Sequence, residues 1–208
     1  MPAGSEGAGD DPWDLLASRY RWSEPLERRS LGALLDALGV RPDEVLLDVG
    51  TGTALVPRLL GREGRGPGAP TVAADRSAAM LALVPTDAAC RVRAEATRLP
   101  LRDGTVDVVT AAWLLHLLDP EERRAAVAEV ARVLRPGGRI GVVVPAEPRT
   151  GVQRAVRGLA QRATAGLGAY RVPRDLPRVL ADHGLRVVSR RRTGLGYLAD
   201  VLVAVRTA

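Results

Sequence analysis

Val45-Leu-Leu-Asp-Val-Gly-Thr-Gly-Thr-Ala-Leu-Val-Pro-Arg-Leu-Leu60 decides the fold. An apolar run ends in Asp48, two glycines follow at Gly50 and Gly52, and an apolar helical pattern resumes at Ala54. That order reads as strand, tight loop, helix.

Downstream of this unit, apolar runs alternate with helical patterns. Strands are expected at Thr71 to Ala74 (ending at Asp75), Cys90 to Ala94, Val106 to Ala111 and Arg139 to Val144. Ser77 to Val84 forms a brief helix with Met80 and Leu81 inward. Asp119-Pro120-Glu121-Glu122 is a helix start, with Asp119 as cap, Pro120 in the first turn and Glu122 completing a capping box. Arg135-Pro-Gly-Gly138 stops that helix. Two last strands, Leu185 to Arg192 and Tyr197 to Arg206, are joined so closely that they must be antiparallel. Upstream, Leu26, Leu31, Leu34, Leu35 and Leu38 give a helical stripe ended by Gly39. The expectation is an α/β fold with a seven-stranded, mostly parallel sheet, helices on both faces and an antiparallel C-terminal strand at one edge.

Composition bounds the rest. The 208 residues suffice for one domain, and no apolar run approaches the ~18 residues of a membrane span. Residues 1–12 are small, acidic and glycine-rich, unlike a signal peptide, and read as a disordered tail of a cytoplasmic protein. Lone Cys90 excludes an internal disulfide and a multi-cysteine metal site, and its strand position suggests a buried thiol. The formal charge of +6 comes entirely from arginine, because the chain has no lysine. Arginines crowd Arg149 to Arg192, as a solvated surface or a polyanion contact.

In open parallel sheets, ligands bind at the carboxyl ends of strands, where Asp48, Asp75, Glu95 and Ala111 all fall. A dinucleotide fingerprint needs a small residue where Leu55 stands, and a phosphate loop needs the lysine that this chain lacks. An acid before the glycine loop repels pyrophosphate but suits an ammonium or sulfonium. Asp75 can accept hydrogen bonds from a ribose. S-adenosylmethionine carries all of these groups.

With Asp48-Val-Gly-Thr-Gly-Thr-Ala54, Ala74-Asp-Arg-Ser77, Glu95-Ala-Thr-Arg-Leu-Pro100, Val106 to His116 and Leu134-Arg-Pro-Gly-Gly138 in order, the chain resembles the class I S-adenosylmethionine-dependent methyltransferases. The resemblance is to the type 11 group related to quinone-biosynthesis enzymes, and it implies a Rossmann-like fold. It implies that Gly50, Thr51 and Gly52 admit the methionine portion of the cofactor, with Asp48 orienting its ammonium. Asp75 would hold the ribose, Arg76 and Met80 flank the adenine, Glu95 and Ala96 border it, and Ala111 offer its carbonyl. Ala54 stands where the family has a third glycine, and Glu95 where it usually has Asp.

The acceptor is expected to be a small molecule, with O, N or C as the methylated atom. RNA methylation through the arginine-rich C-terminal half, and cofactor binding without catalysis, are the rival readings. His116, just past the fourth strand, is the candidate general base, with structural packing as its bland alternative. Tyr20 and Trp22, within a helical lid at 13–40, are candidate acceptor contacts, as are Trp113 and His116. A short helical insertion at 145–172 would complete a single domain spanning 13–208. No metal is expected, and the chain would act as monomer or homodimer. His183, at a helix end, reads as a favourable C-terminal charge.

Overall fold

A computed structural model describes residues 13–14, 17, 24–62, 70–155, 158, 171–194 and 198–207. The alternation read from sequence forms a three-layer sandwich. Helices α1 (Glu24–Leu38), α2 (Leu55–Arg62), α3 (Ala78–Ala82), α4 (Pro120–Val133) and α5 (Leu176–Asp182) flank strands β1 (Leu46–Val49), β2 (Thr71–Asp75), β3 (Cys90–Arg93), β4 (Val106–Ala112), β5 (Leu134–Pro145), β6 (Leu185–Thr193) and β7 (Ala199–Arg206). The strand order is β3-β2-β1-β4-β5-β7-β6. Strands β3 to β5 are parallel, and β7 runs antiparallel to both β5 and β6. The antiparallel strand therefore lies inside the sheet, and β6 takes the edge.

Residue parity sorts the two cores. Leu47, Val49, Val109, Ala111, Val142, Val144, Leu202 and Ala204 face α4 and α5. Leu46, Val108, Val143, Val201 and Val203 face α1 and α2. Both faces of the central strands are thus covered, which is why β4 is buried at six of its seven positions rather than at alternate ones.

Helix α1 packs as a layer against the sheet, and most of the expected lid before it lies outside the described residues. Its Leu34 and Leu38 press so closely on β5 that a Cβ at Gly141 would stand 2.6 Å from Leu34 Cδ1. The helix begins at Glu24, and Leu26 is solvent-exposed, turned off the leucine stripe. Arg139 secures the far end of the helix, donating to the Leu38 carbonyl at 2.7 Å and to both oxygens of Glu44 at 2.7 and 2.8 Å. These guanidinium bonds hold the buried Glu44 carboxyl down at about 2.

The helix at α4 starts with the expected capping box: Asp119 accepts from the Glu121 and Glu122 N–H groups while Glu122 accepts from that of Asp119. It ends at Val133, and Arg135-Pro-Gly-Gly138 forms a bulge where the β4–β5 register shifts. His183 caps α5 with its Nδ1 2.9 Å from the Val179 carbonyl. Cys90 is exposed, contrary to the buried thiol expected, because β3 is the other edge of the sheet and shows most of its side chains to solvent. Tyr20 and Trp22 lie outside the described residues, as do 63–69, most of 156–170 and 195–197. No helix among the described residues is long and apolar enough to cross a membrane.

Candidate functional site

At the carboxyl end of β1 the chain turns back on β2. The N–H groups of Gly50 and Thr51 both donate to the Ala74 carbonyl, at 2.8 and 3.1 Å. Gly50 and Gly52 take positive φ values of 67° and 51°, a region glycine enters without strain. A Cβ on Gly50 would also stand 2.9 Å from the Leu114 side chain, so the loop needs glycine there twice over. Ala54 has φ 58°, which accounts for the glycine that the family pattern carries at this position.

Two carboxylates organise the loop from opposite sides. Asp75 Oδ2 accepts from the Gly52 N–H at 2.8 Å, and its Oδ1 accepts from the Ser77 N–H at 3.0 Å. Asp48 is buried beneath the loop, where it accepts from the hydroxyls of Thr51 at 2.7 Å and Thr110 at 2.6 Å. Burial pushes the Asp48 carboxyl up to about 6, aided by the nearby Asp75 charge and opposed by the two hydroxyls.

A cleft opens over this loop. Asp48, Gly50, Thr51, Gly52, Asp75, Arg76, Met80, Glu95, Ala96 and Trp113 all border it. Two predicted residues, Ala111 and His116, do not. Ala111 is fully buried in the middle of the sheet, paired with Val142, and the residue of β4 that reaches the cleft is Ala112. His116 is buried off the cleft wall, and Tyr20 and Trp22 fall outside the described residues.

The position of His116 follows from the turn after β4. Trp113 adopts φ 57°, held by its N–H donating to the Val143 carbonyl at 2.8 Å. A tryptophan in this region is strained by about 1–2 kcal/mol, a cost typical of functional turns. The turn sends Leu114, Leu117 and Leu118 to the cleft and His116 inward, its ring edge-on to Trp113 with centroids 6.0 Å apart. Arg123 fixes the turn by donating to the carbonyls of Leu115 and Leu118 at 3.2 and 3.1 Å while pairing with Asp175 at 3.1 Å. Burial, helped by the Arg123 charge, lowers the His116 imidazole to about 4. It is neutral at physiological pH and walled off from the cleft.

Sequence reasoning missed several wall residues. Glu27 and Leu31 come from α1, and Glu24 of the same helix accepts from Arg58 at 2.8 Å and from the loop residue Thr53 at 3.2 Å. Both glutamates are buried on the stripe that carries the leucines. Carboxylates at core-facing helical positions were the available signal. Trp13 also borders the cleft, and Asp14 accepts from the Ser77 hydroxyl and from the Ala79 N–H, the latter at 3.2 Å. These contacts bring residues 13 and 14 to the cleft rim.

The charge of the cleft is one-sided. Among the described residues, Glu27, Asp48, Asp75, Glu95 and Glu122 line it against the guanidinium of Arg76, although the whole chain is basic. Such a lining attracts a cation and repels phosphate. Among the described residues no group of side chains is arranged to hold a metal ion.

Comparison with known proteins agrees with this geometry. The family model described as "Methyltransferase domain" (Methyltransf_11) matches residues 47–142. A demethylmenaquinone methyltransferase of Mycolicibacterium paratuberculosis is 40% identical over 53% of this chain and 45% of its own length. That of Mycolicibacterium gilvum is 32% identical over 79% of this chain and 73% of its own. The match thus spans about half the length of the first relative. The methyltransferase in complex with the Haloferax volcanii Trm112 activator superposes with a TM-score of 0.76 at 19% identity, covering 95% of this chain and 99% of that one. With the glycine loop, the acid at the end of β2 and the seven-stranded order in place, the chain belongs to the type 11 family of class I S-adenosylmethionine-dependent methyltransferases.

Proposed function

We propose that this chain transfers a methyl group from S-adenosylmethionine to a small, apolar, ring-bearing acceptor of the reduced-quinone type. The observation that carries the reading is the acid-lined cleft over a glycine loop, with five carboxylates and one guanidinium among the described residues. The residues present fit the cofactor: Gly50 and Gly52 allow close approach of a ligand, and the Gly52 and Ser77 N–H groups hold the Asp75 carboxylate at the cleft wall. The demethylmenaquinone methyltransferases among its relatives support the acceptor class.

When bound, the cofactor supplies an electrophilic methyl group on a sulfonium. The work left to the protein is alignment and exclusion of water. Asp75, already fixed by the Gly52 and Ser77 N–H groups, holds the ribose, and Arg76 and Met80 border the adenine. The Asp48 charge, screened from water beneath the loop, favours the cationic end. Trp113, Leu114, Leu117 and Leu118 form an apolar wall suited to a flat acceptor ring. No catalytic base is assigned to His116.

Calorimetry with S-adenosylhomocysteine, followed by incubation with methyl-labelled cofactor and a reduced naphthoquinone, tests the proposal. Saturable binding and label in the quinol are expected. Absence of binding would remove the enzymatic reading, and binding with label only in RNA would replace the acceptor class.

A further inference from the structure

The molecule has a second cavity, of about 340 Å³, within the size range of small-ligand pockets. It shares no lining residue with the cleft. Its walls come from the end of β5, from β6 and β7, and from the segment entering α5, so it opens at the same edge of the sheet but beyond β5. Its charge is the reverse of that of the cleft: Arg149, Arg174, Arg190 and Arg192 face Glu147 and Asp200.

Three of the arginines, Arg174, Arg190 and Arg192, are arranged in advance. Asp200 is almost fully buried and accepts from Arg190 Nη2 at 2.6 Å and from Arg192 Nε at 2.9 Å and Nη2 at 3.3 Å. One carboxylate thus holds two guanidinium groups, and their charges keep its own carboxyl below the usual range despite burial. Arg192 Nη1 is further fixed on the Glu147 carbonyl at 3.0 Å, and Arg174 donates twice to Glu147 Oε1, at 3.1 and 2.8 Å.

Donors remain after these bonds are counted. Among the described residues Arg190 commits only Nη2, Arg174 leaves Nη1 uncommitted, and the Arg149 side chain makes no hydrogen bond. Among the described residues, four guanidinium groups stand against two carboxylates, a net positive lining beside the apolar walls of Val144, Leu176 and Leu202. Tethered guanidinium groups with spare N–H donors, as in Arg174 and Arg190, bind oxyanions with part of their ordering entropy already spent, and Arg149 adds a further, untethered charge.

We propose that this cavity is a binding site for a small molecule bearing two or more anionic oxygens, a phosphate ester or a polycarboxylate. The site is separate from the methyl-transfer cleft and does not rest on the function assigned to it. Pyrophosphate and citrate are titrated calorimetrically into the full chain at low ionic strength, with S-adenosylhomocysteine titrated in parallel. Saturable one-to-one binding of either anion is expected, and the tighter of the two identifies the phosphate or carboxylate source. The R149Q/R174Q double variant changes two exposed side chains, so the fold is retained, as a melting curve would verify. It should bind the anion at least about tenfold more weakly, with unchanged affinity for S-adenosylhomocysteine. No saturable binding of either anion, or equal affinity in the double variant, would overturn the proposal. So would tighter binding of a single-stranded RNA oligonucleotide with a steep salt dependence.

Discussion

The Asp75 carboxylate and the Gly52 N–H are joined by a 2.8 Å hydrogen bond across 23 positions of sequence, locking the end of β2 to the glycine loop. The acid expected to bind ribose therefore also shapes the loop that receives the rest of the ligand. Asp75→Asn keeps the size but removes the charge and one acceptor oxygen. A charged hydrogen bond contributes about 1.5–3 kcal/mol, so S-adenosylhomocysteine affinity should fall by roughly ten- to a hundredfold. Calorimetry measures this, and an unchanged affinity would detach Asp75 from the site.

Asp48 makes a prediction in pH. Its carboxyl is raised in the folded chain to about 6 from an ordinary value of 3.8. The folded state therefore holds the proton more tightly, and the stability associated with it is full below 3.8 and lost as pH rises through about 6. Asp48→Asn removes that loss. Denaturant unfolding at pH 5 and pH 8 should show the variant gaining on the parent chain at the higher pH, while its affinity for a cationic ligand declines.

Gly50→Ala meets two obstacles, a φ of 67° and the Leu114 side chain at 2.9 Å. A loss of about 1–3 kcal/mol is expected. Adding Leu114→Ala should restore the steric part and leave the backbone part, a non-additivity that a double-mutant cycle resolves.

His116→Asn should leave the pH profile of methyl transfer unaltered, since the imidazole lies off the cleft wall and is already neutral above about 4. Loss of a rate limb near that pH in the variant, with the fold intact, would return the base role to His116.

Glu44 bonds both nitrogens of the Arg139 fork and accepts from the Arg41 N–H at 2.8 Å. Glu44→Gln should cost about 3 kcal/mol by leaving Arg139 without its counter-charge. The folded carboxyl is lowered to about 2, so its contribution is full above about 4.5 and disappears as pH falls through 2. Acid titration of the two chains should converge there.

Legibility from sequence tracks the range of the physics. The capping box at Asp119, the glycine loop and the strand ending in Asp75 are local patterns, and they stand where the sequence puts them. The fate of Cys90 depends on whether another strand covers β3, which no neighbour in sequence records. The turn at Trp113 sets which side chains reach the cleft and leaves His116 and Ala111 buried, and a tryptophan with positive φ has no local signature. Glu27 was overlooked among the leucines of α1, where a carboxylate in a buried row was itself the clue.

The position of β7 bears on how the chain is made. Among the described residues strand β6 pairs only with β7, which follows it in sequence and slots between it and β5. As the polypeptide leaves the ribosome, β5 and β6 must both wait with open backbone edges until β7 emerges, an interval in which unpaired strands aggregate. Arg186, Arg190, Arg191 and Arg192 load β6 with like charge. During synthesis that charge acts as a gatekeeper, keeping the waiting strand from joining its counterpart on a neighbouring nascent chain.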